Sequence, residues 1–402
     1  MYLRSKKYIL PFFLLLMACH KSISPVPVRP EHYSSMDFNQ IFEAFWNGLN
    51  VNYPIWDVDS TNWDEVYRKY QPLFAHLDLN KAEDNTRANQ YFSEMMAHMQ
   101  EGHLWITRRY WGAQGYDNFF YAPVTARQLN RGDYHDSIPL QHFMKTIPSQ
   151  YLQAGYVTGT VPEDPNDPNA LEVNVISGQL KTKPVLYLRI SSFRVKDLYT
   201  KEDHNTVKIA IQHYIDQVTH PLADIKGLII DMRGNGGGNT TDLDFIVGRL
   251  AGEPYVYGAN RFKNGNGRLD YGPWVPAYVT PPAGSKAFDK PVIVLCDIHT
   301  GSMAEATTMA VKALPNGNGQ AVGERTFGRT AAIFRNMDMN SGQFTFEDGN
   351  SSLSLGSSAF RFKDGSRYEG IGVPPDVAVP YNKAAIQAGH DPQLEKALEL
   401  IP

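Results

Sequence analysis

Apolar residues recur every three to four positions along the first quarter of the chain. Ile41, Phe42, Phe45, Trp46 and Leu49 fall on one such stripe. Trp63, Val66, Tyr67, Tyr70 and Phe74 make a second, and Tyr91, Phe92, Met95, Met96 and Met99 a third. This spacing predicts three helices within about 36–100, each burying one face. Methionine and aromatic side chains in such stripes read as core rather than as cofactor contacts. Residues 104–180 lack a clear period and are rich in Asp, Asn and Pro, with a loop at 163–168. From 185 the pattern becomes short apolar runs, at 185–190, 227–230 and 292–295. Helical stripes separate or follow them: Val207, Ala210, Ile211, Tyr214, Ile215 and Val218, then Leu243, Ile246, Val247 and Leu250, then 303–314. Strands alternating with helices of this length predict βαβ units and a mostly parallel sheet. Asp391 is placed to cap a last short helix carrying Leu394, Leu398 and Ile401.

The start of the chain reads as a targeting segment rather than as fold. Arg4, Lys6 and Lys7 precede an apolar stretch at 8–17 that is too short to span a bilayer as a helix. The stretch ends in Leu16-Met17-Ala18-Cys19, which resembles a bacterial lipoprotein box. That resemblance implies cleavage before Cys19, lipidation of its thiol, and a lipid-anchored protein of the bacterial cell envelope. Lys21 follows closely with no acidic run, which favours the periplasmic face. The Ser- and Pro-containing residues 20–35 read as a tether. With 402 residues, 42% of them hydrophobic, the remainder is long enough for a sizeable core and two domains. A net charge of −4 gives no reason to expect a nucleic-acid partner. Cys296 is the only other cysteine, so no disulfide framework is possible once Cys19 is lipidated. Cys296 is open to a nucleophilic reading, although a free cysteine in an apolar strand is more often an inert core thiol.

Two strand-to-helix junctions carry candidate chemistry, because sites on such sheets gather at the carboxyl ends of strands. At 231–239 the sequence Asp-Met-Arg-Gly-Asn-Gly-Gly-Gly-Asn brings three consecutive glycines to a helix start. Such a run can aim backbone N–H groups at a negative oxygen, or simply make a tight turn. A lysine-bearing phosphate loop is excluded, since no Gly-Lys-Ser/Thr follows. At 299–305 the sequence His-Thr-Gly-Ser-Met-Ala-Glu places Ser302 at the start of the next helix. There the helix dipole and free amides favour a developing negative charge. Ser302 with Glu305 reads equally as an ordinary capping box. A nucleophilic serine also needs a base. His103, in Met99-Gln100-Glu101-Gly102-His103-Leu104, follows the third helix where a loop can project it. No His-Glu-x-x-His is present, so neither a metal nor a cofactor is called for.

Taken in order, these segments resemble the tail-specific (C-terminal processing) proteases and the core domain of tricorn protease. The matching blocks are 99–104, the Leu-Tyr-Leu-Arg-Ile-Ser-Ser-Phe run at 186–193, 226–238, 302–305, Val-Gly-Glu-Arg-Thr-Phe-Gly at 322–328 and Glu-Gly-Ile-Gly-Val-Pro-Pro-Asp at 369–376. The resemblance implies an α/β fold, with a crotonase-like (ClpP-like) core and an N-terminal helical region. It also implies that Ser302 attacks a peptide carbonyl, with an oxyanion hole from the amides of Gly237 and Met303. The tail-specific enzymes place a lysine where this chain has Arg329. An arginine keeps its proton in a protein and cannot act as the base. The tricorn-like branch pairs its serine with a histidine and a glutamate, and His103 and Glu369 stand at the matching positions. The expected triad is therefore Ser302, His103 as base, and Glu369 as orienter of the imidazole. No clear PDZ-like loop appears in 104–180, so recognition of free C-termini is not carried over.

The expected organisation is a signal peptide at 1–19, a tether at 20–35, a helical region at 36–103, an irregular link at 104–180 and a peptidase core at 181–402. The expected function is an exported serine endopeptidase acting on peptides or partly unfolded proteins. The alternatives are a ligand- or peptide-binding lipoprotein on the same scaffold, as a retinoid-binding relative illustrates, or acyl-CoA chemistry, which export disfavours.

Overall fold

The computed structural model describes residues 37–162, 167, 171–200, 205–334 and 342–402. The signal segment, Cys19, the tether and most of the loop at 163–168 lie outside the described residues.

The chain opens with helices α1 (Phe38–Asn52), α2 (Trp63–Phe74) and α3 (Ala82–Met96). Asp37 caps α1 by accepting from the Gln40 N–H at 2.9 Å, and Asn62 caps α2 through the Glu65 N–H at 3.2 Å. Their apolar stripes meet in an aromatic cluster, with Phe45 and Phe92 at 4.7 Å and Phe42 and Phe74 at 5.2 Å between ring centroids. That core continues into Phe346, Leu353 and Leu355 from far along the chain.

The next elements are β1 (Trp105–Gly112), β2 (Gly115–Tyr121), α4 (Pro123–Leu129), a π-helical segment at His142–Tyr151, β3 (Val157–Pro162) and β4 (Glu172–Gln179). The stretch read from sequence as irregular thus carries four strands. Their apolar alternation is masked by residues such as Arg108, which is buried and held bidentate by Glu347 at 2.7 Å, with Asn85 and Asn89 alongside.

β5 (Val185–Ile190), α5 (Val195–Thr200), α6 (Thr206–Thr219), β6 (Gly227–Asp231) and α7 (Thr241–Ile246) follow. β7 (Tyr255–Lys263), β8 (Tyr271–Val279), β9 (Val292–Cys296), α8 (Met303–Lys312) and β10 (Gly319–Gly323) come next. The chain closes with β11 (Gln343–Phe346), β12 (Ser351–Ser354), β13 (Ser358–Phe362), β14 (Val377–Ala378), α9 (Lys383–Gln387) and α10 (Pro392–Leu400).

The central sheet has seven strands in the order β14-β10-β9-β6-β5-β4-β3. From β14 to β5 the pairs are parallel, while β4 and β3 add antiparallel. Its parallel strands are buried on both faces. Leu228 and Ile230 face one core and Ile229 faces the other, which explains their continuous apolar runs. Two antiparallel sheets flank it, β11-β12-β1-β2 and β13-β7-β8.

This architecture corrects the crotonase-like (ClpP-like) expectation. The central sheet is mostly parallel, but two antiparallel sheets accompany it and the helical region is not separate from the rest. The helices share their core with an antiparallel sheet that joins 105–108 to 351–354, so segments about 250 residues apart build one structure.

Candidate active site

Three loops meet at the carboxyl ends of β6 and β9. In the first, Gln100 and Glu101 donate their backbone N–H groups to the Tyr53 hydroxyl at 2.9 and 3.0 Å, and Gln100 also to Asp59 at 2.8 Å. Arg127 clamps the end of the preceding helix through the carbonyls of Ala97 and Met99, at 2.6 and 2.7 Å. These bonds fix the turn that presents His103. A β-carbon on Gly102 would lie 2.3 Å from the Gly328 carbonyl oxygen, so only glycine lets this turn approach the third loop.

The second loop is the β9–α8 junction. Ser302 has φ 53 and ψ −120, a sparsely populated conformation for a residue with a side chain. An N-cap serine has extended dihedrals, so Ser302 does more than start a helix. Its Oγ lies 3.1 Å from His103 Nε2. The capping box read from the sequence is present as well, with Glu305 reaching back to the Ser302 N–H at 3.0 Å. Glu305 is fully buried and also accepts from the Gly328 N–H at 2.8 Å, the Arg329 N–H at 2.7 Å and the Thr326 hydroxyl. It thereby ties the 326–329 turn to the serine. Burial pushes its carboxyl above the ordinary range, and these donors offset part of that rise.

The carboxylate nearest the imidazole is Glu101, which the sequence reading passed over. Its Oε1 lies 3.4 Å from His103 Nδ1 and accepts the His103 backbone N–H at 3.0 Å. Its Oε2 is buried without a hydrogen-bond partner among the described residues. An acid two positions before the histidine, across a glycine, was the available signal. Glu369 belongs to the same cluster, in which one ligand-type atom from each of Glu101, His103 and Glu369 lies within 4.8 Å of the others. Its own oxygens, however, are taken by the Gly102 N–H at 2.6 Å, the Thr330 hydroxyl at 2.8 Å and the Ala331 N–H at 2.6 Å. Burial first, and the charge of Glu101 second, hold its carboxyl well above the ordinary range.

The glycine run forms the third loop, and its N-terminal end is anchored by a buried ion network. Arg233 is fully buried and pairs with Asp231 at 2.6 Å and Asp391 at 2.8 Å. Gly237 has φ 108, and a β-carbon there would lie 2.6 Å from Ser302 Cβ and 2.8 Å from the Met303 nitrogen. The run is therefore packed against the serine. The Gly237 N–H itself donates to Asn235 Oδ1 at 2.8 Å. That amide is engaged, whereas those of Met303, Gly236 and Gly238 make no hydrogen bond among the described residues.

The site opens into a cleft of about 1100 Å³ whose lining includes His103, Ser302, Arg329, Leu243, Tyr257 and Phe360. Cys296 lies at the end of β9 within the core, its thiol pushed up by burial, first, and by the charge of Asp297. It is held as a neutral core thiol, not as a nucleophile. A hydroxyl bonded to an imidazole, an acid behind the ring and free amides beside the hydroxyl are suited to acyl transfer.

Comparison with known proteins points the same way. The sequence profile of Peptidase family S41 matches residues 184–379, and that of the Tricorn protease C1 domain matches residues 35–100. Tricorn protease of Thermoplasma volcanium is 29% identical over 180 residues, which are 44% of this chain and 15% of that protein. The chain thus spans a small part of the curated relatives it matches. Among solved structures, a candidate peptidase from Parabacteroides merdae ATCC 43184 aligns with TM-score 0.65 and 21% identity, over 91% of this chain and 97% of that one. Mature CPAF in complex with lactacystin aligns with TM-score 0.57 and 13% identity, over 90% of this chain and 97% of that one. These peptidase folds replace the crotonase-like (ClpP-like) class as the description of the architecture.

Proposed function

Because the chain belongs to the S41/tricorn peptidase family, we propose that it is an exported serine peptidase that hydrolyses peptides or proteins, with Ser302 as nucleophile. The observation that carries this reading is the 3.1 Å contact of Ser302 Oγ with His103 Nε2, made by a serine in a strained turn. His103 Nε2 takes the hydroxyl proton as Oγ bonds to the substrate carbonyl carbon, and later gives that proton to the departing amine. The acyl-serine ester is then cleaved by water, activated by the same nitrogen. Glu101 faces Nδ1 and favours the tautomer that leaves Nε2 free to accept. Glu369 stands behind, holding Gly102 on one side and Thr330 and Ala331 on the other. The oxyanion is met by the Met303 N–H and by a free amide of the glycine run, Gly236 or Gly238. Gly237, first expected to donate, acts instead as the side-chain-free floor beneath the serine. Cys19 remains the proposed lipid anchor to the bacterial envelope, on the sequence alone.

A fluorophosphonate probe is expected to label the wild-type protein at Ser302 and to leave Ser302→Ala unlabelled. A folded wild-type protein that takes no label, or a Ser302→Ala variant that still does, would sink the reading. Gly237→Ala is expected to lower kcat about 10²-fold or more, the scale of losing an oxyanion donor, because the new methyl displaces Ser302 or Met303. Turnover within a few-fold of wild type would show that the glycine run does not need to contact the serine.

A further inference from the structure

Arg329 leaves the turn that Glu305 holds and passes beside Gly102 and Gly301. Its Cγ lies 2.9 Å from where a β-carbon on Gly102 would stand, and its Cδ 3.8 Å from the same point on Gly301. These are the residues immediately before His103 and Ser302. The guanidinium carbon lies 3.7 Å from the centroid of the Phe327 ring, which fixes its plane. The Nε is enclosed with no hydrogen-bond partner, and no hydrogen bond or ion pair from a described residue reaches the guanidinium. Several other partly buried arginines here are paired, Arg127 with two carbonyls, Arg268 with Asp64 and Arg367 with Asp57, whereas Arg361 lies over the Trp274 ring much as Arg329 lies over Phe327.

We propose that Arg329 is a substrate-binding residue that receives a carboxylate of the peptide beside the scissile bond, an assignment that rests on the peptidase reading of Ser302. The partly buried side chain lines the cleft that holds the serine, and a guanidinium is a planar fork of N–H donors that can take a carboxylate through two parallel hydrogen bonds. Of the nearby acids, Glu101 keeps its Oε2 without a hydrogen-bond partner, but it forms no hydrogen bond or ion pair with the guanidinium among the described residues. Glu305 spends its oxygens on the 326–329 turn and on Ser302, and Glu369 on Gly102, Thr330 and Ala331. Burial lowers the basicity of Arg329, while the charges of Glu305, Glu101 and Glu369 support its cationic form, which a guanidinium keeps in any case. Elsewhere the cleft lining mixes Leu243, Tyr257, Met303 and Phe360 with Asn239, Asp244 and Asn260, so it offers apolar surface for a neighbouring side chain while Arg329 takes the carboxylate. That carboxylate is either the free C-terminus of the substrate or an Asp or Glu side chain.

The test is a peptide mixture in three forms: free acid, C-terminally amidated, and with Asn and Gln replacing Asp and Glu. Cleavage rates are read by mass spectrometry, with fluorophosphonate labelling of Ser302 as the control for an intact site. Wild type is expected to favour carboxylate-bearing peptides by about tenfold or more in kcat/KM, chiefly through KM, the scale of a hydrogen bond to a charged group. Sensitivity to amidation assigns the C-terminus, and sensitivity to Asn/Gln replacement assigns a side chain. In Arg329→Gln the ratio of rates on acid and neutral peptides is expected to collapse towards one, and Arg329→Lys is expected to restore part of it. A labelled wild type without carboxylate preference, or an Arg329→Gln that slows acid and neutral peptides equally, overturns the assignment. An unlabelled wild type overturns the peptidase reading beneath it.

Discussion

Replacing His103 with alanine is expected to lower kcat for peptide hydrolysis about 10⁴-fold, with the fold and most of the substrate affinity intact. Among the described residues His103 Nε2, at 3.1 Å, is the base in reach of the serine hydroxyl, and an unassisted hydroxyl is a poor nucleophile at neutral pH. The same experiment separates the two acids. Glu101→Gln keeps an oxygen for the His103 backbone N–H but removes the charge 3.4 Å from Nδ1, so kcat is expected to fall about 10²- to 10⁴-fold with little change in Tm. Glu369→Gln places an amide NH₂ against the N–H of either Gly102 or Ala331, so its larger effect is expected on Tm. Paired measurements of kcat and Tm decide the matter. If Glu369→Gln loses kcat at unchanged Tm while Glu101→Gln is near wild type, Glu369 is the orienter that the sequence resemblance implied.

How far the sequence carried the argument depends on the range of the interactions. The helices over 38–96 are legible because each apolar stripe is a local pattern, and Ile41, Phe42, Phe45 and Leu49 are all buried. The strands at 185–190, 227–231 and 292–296 are legible because burial on both faces writes a continuous apolar run. The antiparallel sheet that joins 105–108 to 351–354 is not, since nothing near Trp105 records its partner Ser354. At the site, Ser302 and His103 could be nominated from motifs, but their separation of 199 residues made the contact invisible before folding. Glu101 was hidden by its neighbour, because an acid on a loop beside a histidine looks like any solvated residue until it is buried. The engagement of the Gly237 amide was hidden for a different reason. A glycine run advertises free backbone, whereas the Asn235 side chain that occupies one of its amides is a matter of one rotamer.

Arg233→Leu is expected to destabilise the protein by about 3–5 kcal/mol at pH 7, the cost of leaving buried charges without their partner. Asp231, Arg233 and Asp391 are fully buried, and the guanidinium bonds both carboxylates while His142 Nε2 lies 2.9 Å from Asp391. Burial alone pushes the Asp391 carboxyl up. The charge of Arg233, with hydrogen bonds from His142, Arg233 and the Leu394 N–H, more than reverses this and leaves it below the ordinary carboxylate range. Asp231 is lowered in the same way, burial opposing and Arg233 winning. A depressed folded-state pKa gives stability that is present above the unfolded value of about 3.9 and is lost as pH falls through the folded value. Wild type therefore holds this contribution through mildly acidic pH. In Arg233→Leu the strongest opponent of burial is gone, leaving Arg189 beside Asp231 and His142 with the Leu394 N–H beside Asp391, so both carboxyls rise relative to wild type, and a raised carboxyl costs stability as pH climbs. The deficit measured by urea unfolding is then expected to shrink between pH 7 and pH 4.5. A loss below about 1 kcal/mol at pH 7, or a deficit that grows on acidification, would show that the network is not coupled as drawn. Activity is expected to fall with stability, because the Arg233 carbonyl accepts from Arg189 at 2.9 Å and the next residue, Gly234, begins the loop that packs against Ser302. The charged network at the carboxyl end of β6 thus does for the glycine run what Glu305 does for the 326–329 turn: it fixes a backbone that has few side chains of its own to hold it in place.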